Sequence, residues 1–477
     1  MAEHTPLHRP NRPGAPLVLE AATAEALTSG TWHGALRTVT VHGAAIDSRL
    51  VTAGCLFACL RGERVDGHDF AATAVGDGAA LILAERLVNV PVPVLVVRDV
   101  TAALSALATA ARRRATGVRW IGITGSNGKT TVKELTAAAC AAQAQVHATH
   151  GNLNNHLGVP LTVLNCPADV AYAVIEMGAN HQGEIAALAA IAQPQVGGIT
   201  GIGPAHLEGF CGLPGVATGK SELFAALPPG APAFLGLFGL ADHAHAQQVE
   251  VSELLATVQQ AAKGRQLTLV GGEDAPVSGQ VANDHVVLST PWGEVRLALL
   301  GAHNLANAAL ALQLAVAAGV PGPLAVAGLA AAKPVAGRLA TRVVGAHIIL
   351  DDSYNANPAS MVAGLTVLAA RAGRRLAVLG AMGELGPTSA ACHRQVGAAA
   401  AHLGLPLVVV GGRAAEILHG YRASGGSDGT LVDDHAEAVA LVRRLLADGP
   451  TTVLIKASRS AGLEAVVAGL AQEVAAC

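Results

Sequence analysis

Residues 121–135 read IGITGSNGKTTVKEL: an apolar run, a glycine-studded turn carrying one lysine, and the start of an amphipathic segment. The run from Val118 to Ile123 has the length and branched side chains of a buried strand. Val132, Leu135 and Ala139, with the Thr136 methyl beside them, recur at helical spacing and give the next segment one apolar face. A strand that turns through glycines into a helix aims backbone N–H groups and the positive helix end at one point, which suits an anion. Gly125, Ser126, Asn127 and Gly128 make the turn; Lys129 can reach terminal phosphates, and Thr130, followed by Thr131, can ligate Mg²⁺. The spacing departs from GxxxxGK[ST], because Ile123 stands where the first glycine is expected, so the shorter TGSNGKTT carries the reading. The bland alternative is a glycine turn with a surface lysine; the strand–turn–helix setting favours ATP or GTP.

Outward from this loop, 477 residues exceed one ordinary core and predict roughly three domains. A net charge of -3 without a dense Lys/Arg stretch argues against a sequence-independent grip on nucleic acid. Alanine supplies much of the apolar content. The uncharged stretch 314–332 is interrupted by Pro321-Gly322-Pro323 and reads as helix, turn, helix rather than a membrane span. The N-terminal residues have no apolar run behind their basic ones and read as a frayed tail. Seven cysteines lie scattered without a CxxC pair, which predicts reduced, mostly buried thiols in a cytoplasmic enzyme.

The expected fold is α/β in three parts. Residues 1–114 form a small α/β domain with strands in CLFACL, AALILA and VLVVRDV, closed by Arg112-Arg113-Arg114 as a solvated helix end. Residues 115–333 form a phosphate-loop domain with a parallel sheet, and LTLV, DHVVLST and EVRLALL between 266 and 300 read as antiparallel hairpins at one side. Residues 334–477 alternate HIILDD, RLAVLG, PLVVVGG and TTVLIKAS with helical sequence, a second doubly wound, Rossmann-like sheet without a GxGxxG fingerprint.

Further polar residues fall at strand ends, where ligands of parallel sheets collect. Glu176 ends YAVIEMG and is placed either to hold Mg²⁺ or to cap a turn. His206, in GPAHLEGF, follows a strand into the same crevice or serves structure alone. Lys220 falls inside the apolar stripe Val216, Leu223, Phe224, Leu227 of a helix beginning near Gly215. Either it snorkels to water, or burial favours its neutral amine, which can add CO₂ to give an anionic carbamate ligand. Asn304 and Asn307 share a helix face, for nucleotide contact or for capping. Asp351 and Asp352 end the strand HIIL, where turn chemistry is the alternative.

Taken in order, DSRLVTAGCLFACLRGERVDGHDF, GITGSNGKTTVKE, GNLNNHLGVPLTVL, EMGANHQGEI, GPAHLEGF, GVATGKSELF, GAHNLANAALA, PVAGRL, DDSYNANP and VLIKASRS resemble the Mur ligase family over nearly the whole chain. The resemblance implies an ATP-dependent amide ligase of peptidoglycan precursor synthesis. Its implied substrates are UDP-N-acetylmuramoyl-tripeptide and D-alanyl-D-alanine, its cofactors ATP and two Mg²⁺, and it works as a cytoplasmic monomer. It implies that Ser48 and Arg49 hold the UDP group and that Asn152, Asn154 and Asn155 face the sugar-peptide. Lys129, Glu176, His206 and Lys220 become catalytic, with Thr130, Glu176, His206 and the Lys220 carbamate at the metal. Asn304, Arg338 and Asp352 become nucleotide contacts. Two departures stand out: Ala381 replaces the usual acid in VLGAMGELG, and the DNPR motif of the diaminopimelate-adding relative is absent. Sister ligases adding one amino acid, and folylpolyglutamate synthetase, are the neighbouring alternatives.

Overall fold

The computed structural model describes residues 14–271 and 277–471. The N-terminal tail called frayed above lies outside them, apart from its last residues. At the heart of the chain six strands run parallel in the order Gln266–Val270, Pro232–Gly236, Val196–Ile199, Arg119–Thr124, Tyr172–Glu176, Val146–Ala148. Burial on both faces explains their continuous apolar sequences. Ile121, Ile123 and Val174 pack toward the helices Lys129–Ala141 and Ala302–Ala317. Trp120, Ala173 and Ile175 alternate to the other side, against Glu184–Ala192 and Leu213–Ala226.

The expectation for residues 266–300 needs one correction. The LTLV stretch is the parallel edge strand of this sheet, paired with Pro232–Gly236. The helix Val251–Ala261 provides the crossover that a parallel neighbour requires. Only Ser278–Val281, Val286–Thr290 and Gly293–Leu297 form the antiparallel sheet, which packs on Ala302–Ala317.

On the N-terminal side a five-stranded sheet runs Thr31–His33, Val94–Val96, Leu81–Ala84, Leu56–Ala58, Ala44–Ala45, with a separate ribbon of Pro16–Glu20 and Thr38–His42. The helix Val100–Arg114 buries Leu104 and Leu107 in one core with Ile185 and Leu188 of the central part. Its end is not wholly solvated: Arg112 is buried over the Trp120 ring and donates to the carbonyls of Ala192 and Gln193 at 2.7 and 2.8 Å. Those carbonyls end the helix Glu184–Ala192 and want donors, so the arginine is used internally.

The C-terminal sheet runs Ala340–Val344, His347–Asp352, Thr451–Lys456, Arg374–Leu379, Leu407–Val410, Gly429–Val432, parallel except for its first strand. Chain order jumps over Thr451–Lys456, so a topological switch point opens at the carboxyl ends of Asp352, Leu379 and Lys456. Four cysteines are buried, and the six described are free thiols. Among the described residues no helix is long and apolar enough to cross a membrane.

Candidate active site

The turn after Arg119–Thr124 is built by close approach. Gly125 has φ +139 and Gly128 φ +81; a Cβ on the first would strike the Thr200 hydroxyl, and on the second the Asn307 amide oxygen. Only glycine reconciles such backbone angles with such neighbours. The turn is pinned by Ser126, whose Oγ donates to Gly203 O at 2.8 Å and accepts Gly203 N–H at 2.9 Å, and by the Thr200 hydroxyl donating to Asn127 O. Lys129 opens the helix and folds back, its Nζ donating to Gly125 O at 2.7 Å and Ser126 O at 3.1 Å. Burial lowers its pKa; the Glu176 charge opposes this, and Arg338 adds to it. These three charges therefore share one crevice.

Glu176 ends its strand at 2% exposure. Its N–H donates to Thr149 Oγ1 at 2.9 Å and its Oε1 accepts from Asn154 Nδ2 at 2.7 Å, while Oε2 is buried without a protein partner. A buried carboxylate oxygen lacking a donor is costly unless a cation meets it. Among the described residues no group of three His, Cys, Asp or Glu side chains is placed to hold a metal. Glu176 thus fits an ion, such as Mg²⁺, that takes one or two carboxylates plus phosphate oxygens and water.

Lys220 lies in the helix Leu213–Ala226 with Val216, Leu223 and Phe224, all fully buried. Its own exposure is 1%, so it does not snorkel. Nζ sits 4.7 Å above the Phe210 ring and donates to Ala179 O at 3.0 Å. Desolvation first, then the Lys129 charge, bring its pKa down to about 7. His206 caps a short helix at φ 52, and its Nδ1 lies 3.3 Å from Glu384 Oε2, across from the C-terminal sheet. Burial lowers its pKa, and Glu384 opposes the drop.

Two more contacts bring the C-terminal part onto the loop. Arg338 Nη2 lies 3.4 Å from Thr130 Oγ1, with its guanidinium stacked 4.4 Å from the Tyr354 ring. Asn357 caps the helix Pro358–Ala369 and donates from Nδ2 to Asn127 Oδ1 at 2.6 Å. Asn304 is buried, donating to Leu300 O at 2.9 Å and accepting from Asn307 at 3.1 Å. Gly301 is the helix cap, so the capping alternative for Asn304 is excluded. Asp352 accepts Leu339 N–H at 3.2 Å and pairs with buried Lys456 at 2.7 Å.

The remaining expected residues sit differently. Asn155 Oδ1 accepts the N–H groups of Leu157 and Gly158 at 3.1 and 2.9 Å, two residues ahead of the N-cap Leu157 of the helix Gly158–Leu164. Asn152 is exposed on the same loop. Ser48 and Arg49 form a turn on the N-terminal sheet, where the Arg49 side chain is 87% exposed and pairs with Asp47 at 2.5 Å. The arginine hydrogen bond holds the Asp47 carboxyl below its usual range. Ala381, at the departing position, offers its carbonyl to Ser458 N–H and Oγ at 3.0 and 2.8 Å.

Sequence reasoning missed Asn357, Glu384, Lys456 and Lys133. Asn357 and Lys456 stood in quoted motifs, DDSYNANP and VLIKASRS, without being singled out; a lysine one turn after Lys129 on the apolar helix was the available signal for Lys133.

The family models for the Mur ligase middle domain, the Mur ligase glutamate ligase domain and the Mur ligase family catalytic domain match residues 123–315, 337–459 and 40–119. The chain is 39% identical over 447 residues to the UDP-N-acetylmuramoyl-tripeptide–D-alanyl-D-alanine ligase of Escherichia coli (strain K12), covering 92% of this chain and 95% of that one. A crystal structure of MurF from Acinetobacter baumannii superposes with a TM-score of 0.83 at 34% identity, covering 97% of this chain and 100% of the other. MurF ligase from Thermotoga maritima, in complex with ADP, matches with a TM-score of 0.75 at 26% identity, over 91% of this chain and 98% of the other. With the three models falling in order on its N-terminal, central and C-terminal parts and a relative of this identity along nearly its full length, the chain belongs to the Mur ligase family.

Proposed function

We propose that this chain joins D-alanyl-D-alanine to the terminal carboxylate of UDP-N-acetylmuramoyl-tripeptide, converting ATP to ADP and orthophosphate. The carrying observation is that the phosphate loop, roofed by Arg338 and Asn357 from the C-terminal sheet, adjoins a buried glutamate with one unpartnered oxygen. Relatives of that name at up to 39% identity support the choice of substrates. Within this reading residues 1–114 take the uridine nucleotide through Ser48 and Arg49, residues 115–333 take ATP, and residues 334–477 close over both. Asn152, Asn154 and Asn155 lie on the loop assigned to the sugar-peptide.

The chemistry has two steps. The tripeptide carboxylate attacks the γ-phosphorus and ADP departs, leaving an acyl phosphate on the peptide. The dipeptide amine then attacks the acyl carbon, loses a proton, and orthophosphate leaves as the amide forms. The first step brings two anions together, and at 4 Å unit charges repel by about 4 kcal/mol at an effective dielectric near 20. Lys129 and Arg338 offset that repulsion, with the loop N–H groups of Gly125, Asn127 and Gly128 and the hydroxyls of Thr130 and Thr131 at the phosphates; Ser126 spends its N–H on Gly201 O at 3.0 Å and holds the loop in shape. Asn304 and Asp352 border the same nucleotide site. Glu176, His206 and Thr130 would hold Mg²⁺, which when bound would supply positive charge to offset the repulsion of the two anions. A neutral Lys220 amine would take up CO₂ and release a proton, and the resulting carbamate would add an anionic ligand beside them.

Enzyme, ATP, Mg²⁺, the UDP-tripeptide and D-alanyl-D-alanine should yield a UDP-pentapeptide by mass spectrometry. No such product, or an equal rate with single amino acids in place of the dipeptide, overturns the reading. For Lys220, short carboxylic acids should restore turnover to Lys220→Ala; full activity of that variant without them rejects the carbamate.

A further inference from the structure

Lys133 is 1% exposed, lies one turn beyond Lys129 on the loop helix, and takes no part in the steps above. An ammonium buried so deeply survives only with partners, and here they are Glu134 Oε1 at 2.5 Å and the carbonyl of Thr149 at 2.7 Å. Thr149 is fully buried as well, and its hydroxyl accepts the N–H of Glu176 at 2.9 Å. Its own N–H donates to Val174 O at 3.0 Å, so it is clamped along the strand that Glu176 ends. Five residues on, Asn154 Nδ2 donates to Glu176 Oε1 at 2.7 Å, and Asn154 O accepts Gly178 N–H at 2.8 Å. One segment, 149–154, therefore grips Glu176 by its backbone before the side chain, by its carboxylate, and by the backbone beyond it. Lys133 fastens that segment to the helix that carries the phosphate loop. The single oxygen left over is Oε2.

We infer that Lys133 is a positioning residue that ties the phosphate-loop helix to segment 149–154 and thereby aims Glu176, setting the site's affinity for a divalent cation. The inference rests on the reading of Glu176 as the cation-holding carboxylate. Groups that orient a metal ligand govern affinity without touching the metal, and their loss weakens binding by about 10- to 100-fold. A lysine that merely filled space would leave cation affinity untouched when replaced by methionine, which is also long and unbranched.

The test measures binding of a fluorescent ADP analogue to the full chain across a Mg²⁺ titration, without turnover. In the parent protein Mg²⁺ should tighten binding, and Glu176→Gln should lose most of that response. Lys133→Met should shift the Mg²⁺ midpoint upward by about tenfold or more, with metal-free affinity for the analogue unchanged within about twofold, while Lys133→Arg should stay near the parent. A Lys133→Met midpoint equal to the parent's, with Glu176→Gln still defective, overturns the role of Lys133 alone. An unimpaired Glu176→Gln overturns the reading of Glu176 and this inference with it. If Lys133→Met shows no cooperative melting, Thr149→Val decides, because it deletes the hydroxyl that holds the Glu176 N–H to the segment Lys133 fastens: a raised midpoint supports the linkage and an unchanged one refutes it.

Discussion

Replacing Lys220 by methionine should change how the stability of the central sheet depends on pH. The amine is 1% exposed, and burial, aided by the Lys129 charge, takes its pKa from 10.5 to about 7. Between those values the unfolded chain keeps a proton that the native chain has released, so the unfolded state binds more protons and stability rises with pH. Below about pH 7 both states are charged and the native state bears the whole cost, about 5 kcal/mol at roughly 1.4 kcal/mol per tenfold. The hydrogen bond to Ala179 O and the Phe210 ring recover part of the expense within the fold. Methionine has no such titration. Raising the pH from 6 to 8 should therefore stabilise the parent relative to Lys220→Met by about 1.4 kcal/mol, a tenfold change in protection. The assay is native-state hydrogen exchange of peptides covering Arg119–Thr124 and Leu213–Ala226, comparing both proteins at equal pH in CO₂-free buffer so that intrinsic rates cancel. A ratio of protection constant within twofold across this range would refute the neutral amine, and with it the ground for CO₂ capture.

Lys129→Ala should lower the rate of substrate-dependent phosphate release by more than about 10²-fold, the scale for one preorganised electrostatic contact; near-parent turnover removes its phosphate role. Gly128→Ala puts a methyl against the Asn307 amide at φ +81, a strain of about 1–2 kcal/mol, so ADP affinity should fall by roughly tenfold in calorimetric titration. Lys456→Met leaves the Asp352 carboxylate buried and unpaired, a loss of about 3–5 kcal/mol that should appear as earlier melting of the C-terminal sheet. Equal melting would mean that Asp352 finds another cation or takes up a proton.

What the sequence disclosed was periodic or local. The strand, turn and helix around Lys129 declare themselves because β-branched runs, glycines and an amphipathic repeat each specify a backbone state within a few residues. Lys220 could be placed on a buried stripe from its spacing, but whether its end reached water depended on Phe210 and Ala179, brought over it from other segments. Arg112 shows the same limit from the opposite side: a basic helix end reads as solvated until a tryptophan and two helix-terminal carbonyls turn out to lie against it. The edge strand Gln266–Val270 was legible as a strand and illegible as a parallel one, since a pairing partner is not written in the strand's own pattern.

The site itself sharpens the point, because it lies between two sheets rather than within either. Lys129 and His206 follow strands of the central sheet and Glu176 ends one, while Asn357 and Glu384 follow strands of the C-terminal one. The first three can be assigned singly to a carboxyl edge from sequence, as ligand-bearing residues of parallel sheets are; Asn357 and Glu384 were not. That the two edges face each other becomes apparent only through Asn357 on Asn127, Arg338 on Thr130 and Glu384 on His206. The last pair joins two non-glycine residues that both hold left-handed backbone angles, φ 52 and φ 59, a conformation that persists where surrounding structure over-determines it. Strain placed on both sides of one contact marks the point where the two edges are held together, at the seam we propose for the γ-phosphate and the peptide carboxylate.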